Sequence, residues 1–132
     1  MVEMATRYGA EVRRIDRPGG DVFALEEIEG ALKKKTAKVV ALVHAETSTG
    51  ALQPLDGIPE IAHRYRGLLV LECVTLLGGV PVKIDEWDVD VAYSGTKKPY
   101  PARRDWLLWR RGNALFKPGT CARSNLRIGI WI

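Results

Sequence analysis

Val39-Val40-Ala41-Leu42-Val43-His44 is a continuous apolar run, and Ala45-Glu46-Thr47-Ser48-Thr49-Gly50 follows it directly. A strand exposed on one face alternates apolar and polar residues, whereas an unbroken β-branched run suits a parallel strand buried on both faces. Two further runs have the same character: Leu68-Leu69-Val70-Leu71, and Val89-Asp90-Val91-Ala92-Tyr93-Ser94. Between and before them lie segments of helical period. Ala24 to Lys35 places Leu25, Ile28 and Leu32 on one stripe, with Glu26, Glu27 and Glu29 early and Lys33, Lys34 and Lys35 at the end, the polarity that favours a helix dipole. Pro59 to Tyr65 turns Ile58, Ile61, Ala62 and Tyr65 inward. Strands alternating with helices predict an α/β fold with a mostly parallel sheet and flanking helices.

Outward from this centre the pattern is shorter. Residues 1–9 read as the end of a helix, with Met1, Met4, Ala5 and Tyr8 on one face and Gly9 as its C-cap. Residues 10–15 alternate and predict a short strand, and Pro18-Gly19-Gly20 predicts a turn. With 46% apolar and 27% charged residues in a chain of 132, the composition is that of one modest soluble domain. No run approaches the roughly 20 apolar residues of a membrane span, and the first residues lack the apolar core of a signal peptide, so a cytoplasmic location without membrane contact is expected. Cys73 and Cys121 lack metal-ligand spacing and read as incidental thiols; no metal site is expected.

Charge divides the chain. Residues 99–132 hold seven basic residues against Asp105 alone, whereas residues 1–98 hold 13 basic and 15 acidic groups. Three of the four tryptophans, Trp106, Trp109 and Trp131, also lie beyond residue 98. Arginine with tryptophan can track phosphates and stack bases, so a nucleic-acid-binding tail is the alternative reading. The tail has no basic face on a regular element and no RNA-binding signature, which weighs against it.

In open parallel sheets, ligands bind beyond the carboxyl ends of the strands. There the chain reads His44 to Gly50, then Glu72-Cys73-Val74-Thr75, then Ser94-Gly95-Thr96-Lys97-Lys98. A carboxylate after one strand and a lysine after another suit pyridoxal 5'-phosphate (PLP) chemistry. The amine attaches the cofactor aldehyde, and the carboxylate holds a proton on the pyridine nitrogen. Each end could equally be an ordinary loop.

Three segments narrow the choice. Val43 to Gly57, Val70-Leu71-Glu72-Cys73-Val74-Thr75-Leu76-Leu77-Gly78-Gly79-Val80-Pro81-Val82 and Asp90 to Lys98 resemble, in order and spacing, the core of class V PLP-dependent aminotransferases of the alanine–glyoxylate/serine–pyruvate type. The resemblance covers roughly residues 1–98. It implies an internal fragment of a fold-type-I large domain, from a homodimeric family that moves an amino group from alanine or serine to glyoxylate or another 2-oxo acid. By position it implies that Lys98 is the Schiff-base lysine, that Thr47 lies near the cofactor ring, that Glu72 and Val74 lie along the pyridine, and that Lys97 stands beside the catalytic lysine.

Four departures set this chain apart from the family and lead to the expectation that it is inactive. The family has Asp where Glu72 stands, and a carboxylate misplaced by about 1 Å can cost on the order of 100-fold. It usually has Gln at Lys97, where a cation opposes protonation of the ring. The element that cradles the cofactor phosphate, and the aromatic residue that stacks on the ring, are expected upstream of Met1. Beyond Lys98 the family continues through a Pro-Pro-Gly segment that is absent here. Codons for residues 98–109 can be chosen so that a one-base shift yields T-L-S-C-P-P-G-L-A-P-V, and the adjacent lysine codons supply an A-rich run. Residues 1–98 are therefore expected to be aminotransferase sequence, and residues 99–132 an aberrant tail, read out of frame and making few contacts.

Overall fold

In a computed structural model the structure describes residues 2–76 and 79–95 in full, and the backbone alone of 106–110 and 129–131. The elements run α1 (Val2–Arg7), β1 (Val12–Arg14), α2 (Leu25–Lys34), β2 (Val39–Val43), β3 (Ala45–Glu46), β4 (Ala51–Leu52), α3 (Ile58–Arg64), β5 (Leu68–Glu72), β6 (Val91–Gly95), β7 (Trp106–Arg110) and β8 (Gly129–Trp131). Six of the strands form one sheet in the order β1-β8-β2-β5-β6-β7, parallel throughout except that β7 runs antiparallel to β6. Among the described residues no helix is long and apolar enough to cross a membrane.

The centre is β2-β5-β6. Val40, Leu42, Leu69, Leu71 and Ala92 alternate onto one face, where they meet Ile28 and Leu32 of α2 and Ile58, Ile61 and Ala62 of α3 in a single buried cluster. Burying side chains of this size stabilises by roughly 1.5–3 kcal/mol each, so this face supplies most of the driving force. The opposite face is only partly covered: Val39, Val43, Val70, Val91 and Tyr93 are half-buried, and Leu68 is 44% exposed. The sequence predicts burial on both faces, but α2 and α3 lie on the same one. Leu25, expected in the apolar stripe, is 38% exposed and lies at the side of α2 facing Gly57.

Local chemistry sets the boundaries. Glu27 reaches back to the backbone N–H of Ala24 (2.9 Å), closing the first turn of α2 without a capping hydroxyl. Arg17 pairs with the same carboxylate, and that hydrogen bond, followed by the Ala24 N–H, holds Glu27 below the usual carboxylate range. At the other end the Arg13 guanidinium donates to the carbonyl of Ala31 at 3.1 Å, which also accepts the Lys35 N–H, and to the carbonyl of Lys35 just beyond the helix. Pro18-Gly19-Gly20 forms the expected turn, with Gly20 at φ 98° and the Asp21 N–H bonded to Pro18 O at 3.1 Å.

Between β2 and β5 the chain adds a feature absent from the sequence reading, the small antiparallel ribbon β3-β4. Its base is locked by Gln53, which is buried. The Gln53 N–H donates to His44 O (2.8 Å), its Nε2 donates to Phe23 O and Pro54 O, and its Oε1 accepts from the Phe23 N–H at 2.7 Å. A second lock joins α3 to the sheet. Asp90 Oδ2 accepts the Leu69 N–H at 2.7 Å and lies 2.8 Å from His63 Nε2.

The beginning of β5 demands a glycine. Helix α3 ends with the Arg66 N–H on His63 O and the Gly67 N–H on Ala62 O, both at 2.8 Å. Arg66 is left-handed (φ 59°), and a Cβ on Gly67 would sit 2.9 Å from Ala37 O. Gly67→Ala is therefore expected to destabilise by about 1–3 kcal/mol, because backbone must move to admit the methyl. Arg66→Gly relieves a left-handed residue and is expected to stabilise by up to about 1 kcal/mol. Urea unfolding midpoints of the two variants should shift in opposite directions.

Candidate active site

Register converges the three predicted strand ends. Val43 pairs with Glu72, and Glu72 pairs with Tyr93, so these three residues form one row across the carboxyl end of the sheet. Residues paired in this way share a face, here the one not covered by α2 and α3. Backbone bonds extend the row: the His44 N–H donates to Glu72 O (3.0 Å), and the Cys73 N–H donates to Tyr93 O (2.8 Å).

Glu72 is half-buried at the centre of the row. Its Oε1 accepts the N–H of Val74 at 2.7 Å, and its Oε2 has no hydrogen-bond partner among the described residues. A half-buried carboxylate with an open oxygen is suited to accept a charged N–H. Burial raises the Tyr93 hydroxyl pKa well above its ordinary range, and the adjacent Glu72 charge adds to this. Thr47 is exposed in the turn of the β3-β4 ribbon. Glu46 organises that turn, accepting both the N–H and the Oγ–H of Ser48 at 2.9 and 2.8 Å, and Gly50 closes it at φ 72°. Lys97 and Lys98 follow Gly95, the last residue of β6, by two and three positions and lie outside the described residues. The structure thus brings Glu72 and Val74 together at one sheet end and places Thr47 on the adjoining ribbon.

Cys73 is buried, and burial followed by the Glu72 charge pushes its thiol up to about 11, which leaves it unreactive. Cys121 lies outside the described residues. Ser94 is buried beneath the row, with its Oγ 3.5 Å from Cys73 O.

His44 escaped the sequence reading as a distinct site. Alternation turns its ring away from Glu72, toward the helix-covered side, where it packs edge-on against Trp87 with ring centroids 5.1 Å apart. Its Nδ1 is buried without a hydrogen-bond partner among the described residues, and the residue is 6% exposed overall. The signal was available in the two-residue period: Val43 and Glu72 share a face, so His44 must take the other.

The aminotransferase class-V family matches residues 1–103. The chain belongs to the class-V aminotransferase family. It is 43% identical over 96 residues to alanine–glyoxylate aminotransferase of Rattus norvegicus, covering 73% of this chain and 23% of that protein. It is also 43% identical over 98 residues to (S)-ureidoglycine–glyoxylate transaminase of Bacillus subtilis (strain 168), covering 74% and 24%. The chain therefore spans about a quarter of the length of the curated relatives it matches.

Among solved structures, alanine–glyoxylate aminotransferase from Nostoc sp. superposes with a TM-score of 0.69 at 54% identity, over 71% of this chain and 25% of that one. A NifS-like protein from Rickettsia africae superposes at 0.68 over 97% of this chain and 37% of that one; at 19% identity it speaks for the fold alone. The partial α/β domain is that of fold-type-I aminotransferases, a family generally dependent on PLP.

Burial lowers the His44 pKa below its ordinary value. The unfolded chain therefore takes up this proton first, and stability is lost as pH falls through the unfolded value of about 6.5 toward the lower folded one. His44→Leu should make stability less sensitive to pH between about 7.5 and 5 than in the parent chain, measured by urea unfolding. Equal pH slopes in the two proteins would remove His44 from the account.

Proposed function

We propose that this chain is the part of a PLP-dependent aminotransferase that holds the pyridine end of the cofactor. The enzyme would move an amino group from alanine or serine to glyoxylate or another 2-oxo acid. The observation that carries the reading is Glu72, a half-buried carboxylate at the carboxyl end of the central strand with one oxygen open among the described residues. The names of its relatives, alanine–glyoxylate aminotransferase and (S)-ureidoglycine–glyoxylate transaminase, support glyoxylate as the acceptor.

PLP, when bound, supplies an electron-withdrawing ring that carries the amino group between the two substrates. Each residue has a role matched to its chemistry. The Glu72 carboxylate accepts the ring N–H and, as an anion, keeps the proton there. The Thr47 hydroxyl donates to the ring oxygen, and Val74 gives the ring an apolar contact. Lys98 anchors the cofactor through its amine and moves the proton at the substrate α-carbon. Lys97 adds a cation beside it, which opposes the ring proton that Glu72 holds. Assembly as a homodimer belongs to the same proposal.

The 132 residues alone are expected to show no turnover, since the 96 residues that match the rat enzyme cover only 23% of its length. We propose further that residues 99–132 are read out of frame. The family match ends at residue 103, close to where the basic, tryptophan-rich composition begins beyond residue 98. Trp106–Arg110 and Gly129–Trp131 nevertheless pair as strands of the sheet, so the expectation of few contacts does not hold there.

Two experiments test these readings. Titrating the purified chain with PLP should produce an absorption band near the visible edge that Lys98→Ala abolishes; a band that survives the substitution would contradict the assignment of Lys98. Sequencing the coding DNA should show an A-rich run at the lysine codons and codons after it that regroup to the Pro-Pro-Gly segment. Codons incompatible with that regrouping would refute the frame reading.

A further inference from the structure

The geometry points to the Val74 backbone N–H as a positioning group that lets Glu72 serve where the family has aspartate: it draws Oε1 back toward the strand end, takes up the extra methylene, and leaves Oε2 alone as the acceptor for the cofactor ring nitrogen. This rests on the role proposed for Glu72 above.

Two constraints fix the carboxylate. Across the sheet, Val43 and Tyr93 are its direct partners in the same row, so the side chain is walled on both sides by neighbours about 4.8 Å away. Along the chain, the 2.7 Å bond from the Val74 N–H returns Oε1 to a residue only two positions on. A glutamate bonded in this way cannot extend fully from the strand end. The extra reach that would misplace its carboxylate is spent within the turn. The bond is charge-assisted and so stronger than a neutral one. Among the described residues it also leaves Glu72 with one satisfied and one open oxygen, the division that a single ring N–H requires.

The chain, labelled with ¹⁵N and ¹³C, allows a direct test by NMR. Across an acid titration the Val74 amide should move with the same midpoint as the Glu72 carboxyl carbon, and Glu72→Gln should abolish the movement while the other amides keep their positions. A Val74 amide that stays still while the Glu72 carboxyl titrates would overturn the proposal. In a second arm, PLP labelled with ¹⁵N in its ring is added to saturation. The ring nitrogen should report a protonated state in the parent chain, lose it in Glu72→Gln and regain it in Glu72→Asp, and in the parent chain the Val74 amide should stay coupled to Glu72. A protonated ring with an uncoupled Val74 amide would mean that Glu72 extends on binding, again overturning the proposal. No response from either partner to PLP would defeat the proposed function of this chain, and the first arm would still decide whether the Val74 bond exists.

Discussion

Parallel pairing of β2 with β5, and of β5 with β6, is the constraint on which the rest depends. It aligns Val43, Glu72 and Tyr93 in one row, and alternation then assigns every other side chain. Val40, Leu42, Leu69, Leu71 and Ala92 must face α2 and α3, while Glu72 must face the other way. A slip of one residue in β5 would exchange these sets, burying Glu72 beneath the helices and exposing Leu69 and Leu71. Such a slip would place an unpaired carboxylate in an apolar core, so the hydrophobic pattern and the site geometry are enforced together.

The devices around this core serve the same alignment. Gly67 lets the chain pass close to Ala37 O as it enters β5. Asp90 bonds the Leu69 N–H and meets His63, tying the start of β5, the approach to β6 and helix α3 at one point. Gln53 returns the ribbon to the end of β2 through the carbonyl of His44. The Asp90 and Gln53 bonds are polar contacts at the margin of an apolar sheet, where loss of a partner costs most.

Much of this was legible in the sequence because the physics is local. The apolar runs at Val39, Leu68 and Val89, and the acid-to-base polarity of residues 24–35, declare strands and a helix without any knowledge of the fold. Rules for ligand position in parallel sheets then pick out Glu72 and its neighbours. What stayed hidden depends on packing, on side-chain rotamers or on elements too short to show a period. The β3-β4 ribbon has only two residues in each strand and leaves no period to detect. That α2 and α3 share one face of the sheet, which leaves Val70 and Tyr93 half-buried, follows from packing and not from either helix's own pattern. The return of Glu72 onto Val74 is a matter of side-chain rotamer. Composition set residues 99–132 apart, yet could not reveal that two stretches within them pair with the sheet, since strand pairing uses backbone groups that every residue carries.

The proposed site rests on one arrangement, a carboxylate at the end of a central parallel strand, which we propose meets the ring nitrogen of the cofactor. The most direct measurement is a crystal structure of the chain with pyridoxamine 5'-phosphate, whose amine cannot bond covalently to a lysine, so that only non-covalent contacts hold it. The account predicts the pyridine nitrogen within hydrogen-bond distance of Glu72 Oε2, with Oε1 still on the Val74 N–H. A ring bound elsewhere, or bound at the strand ends with its nitrogen turned away from Glu72, would contradict it.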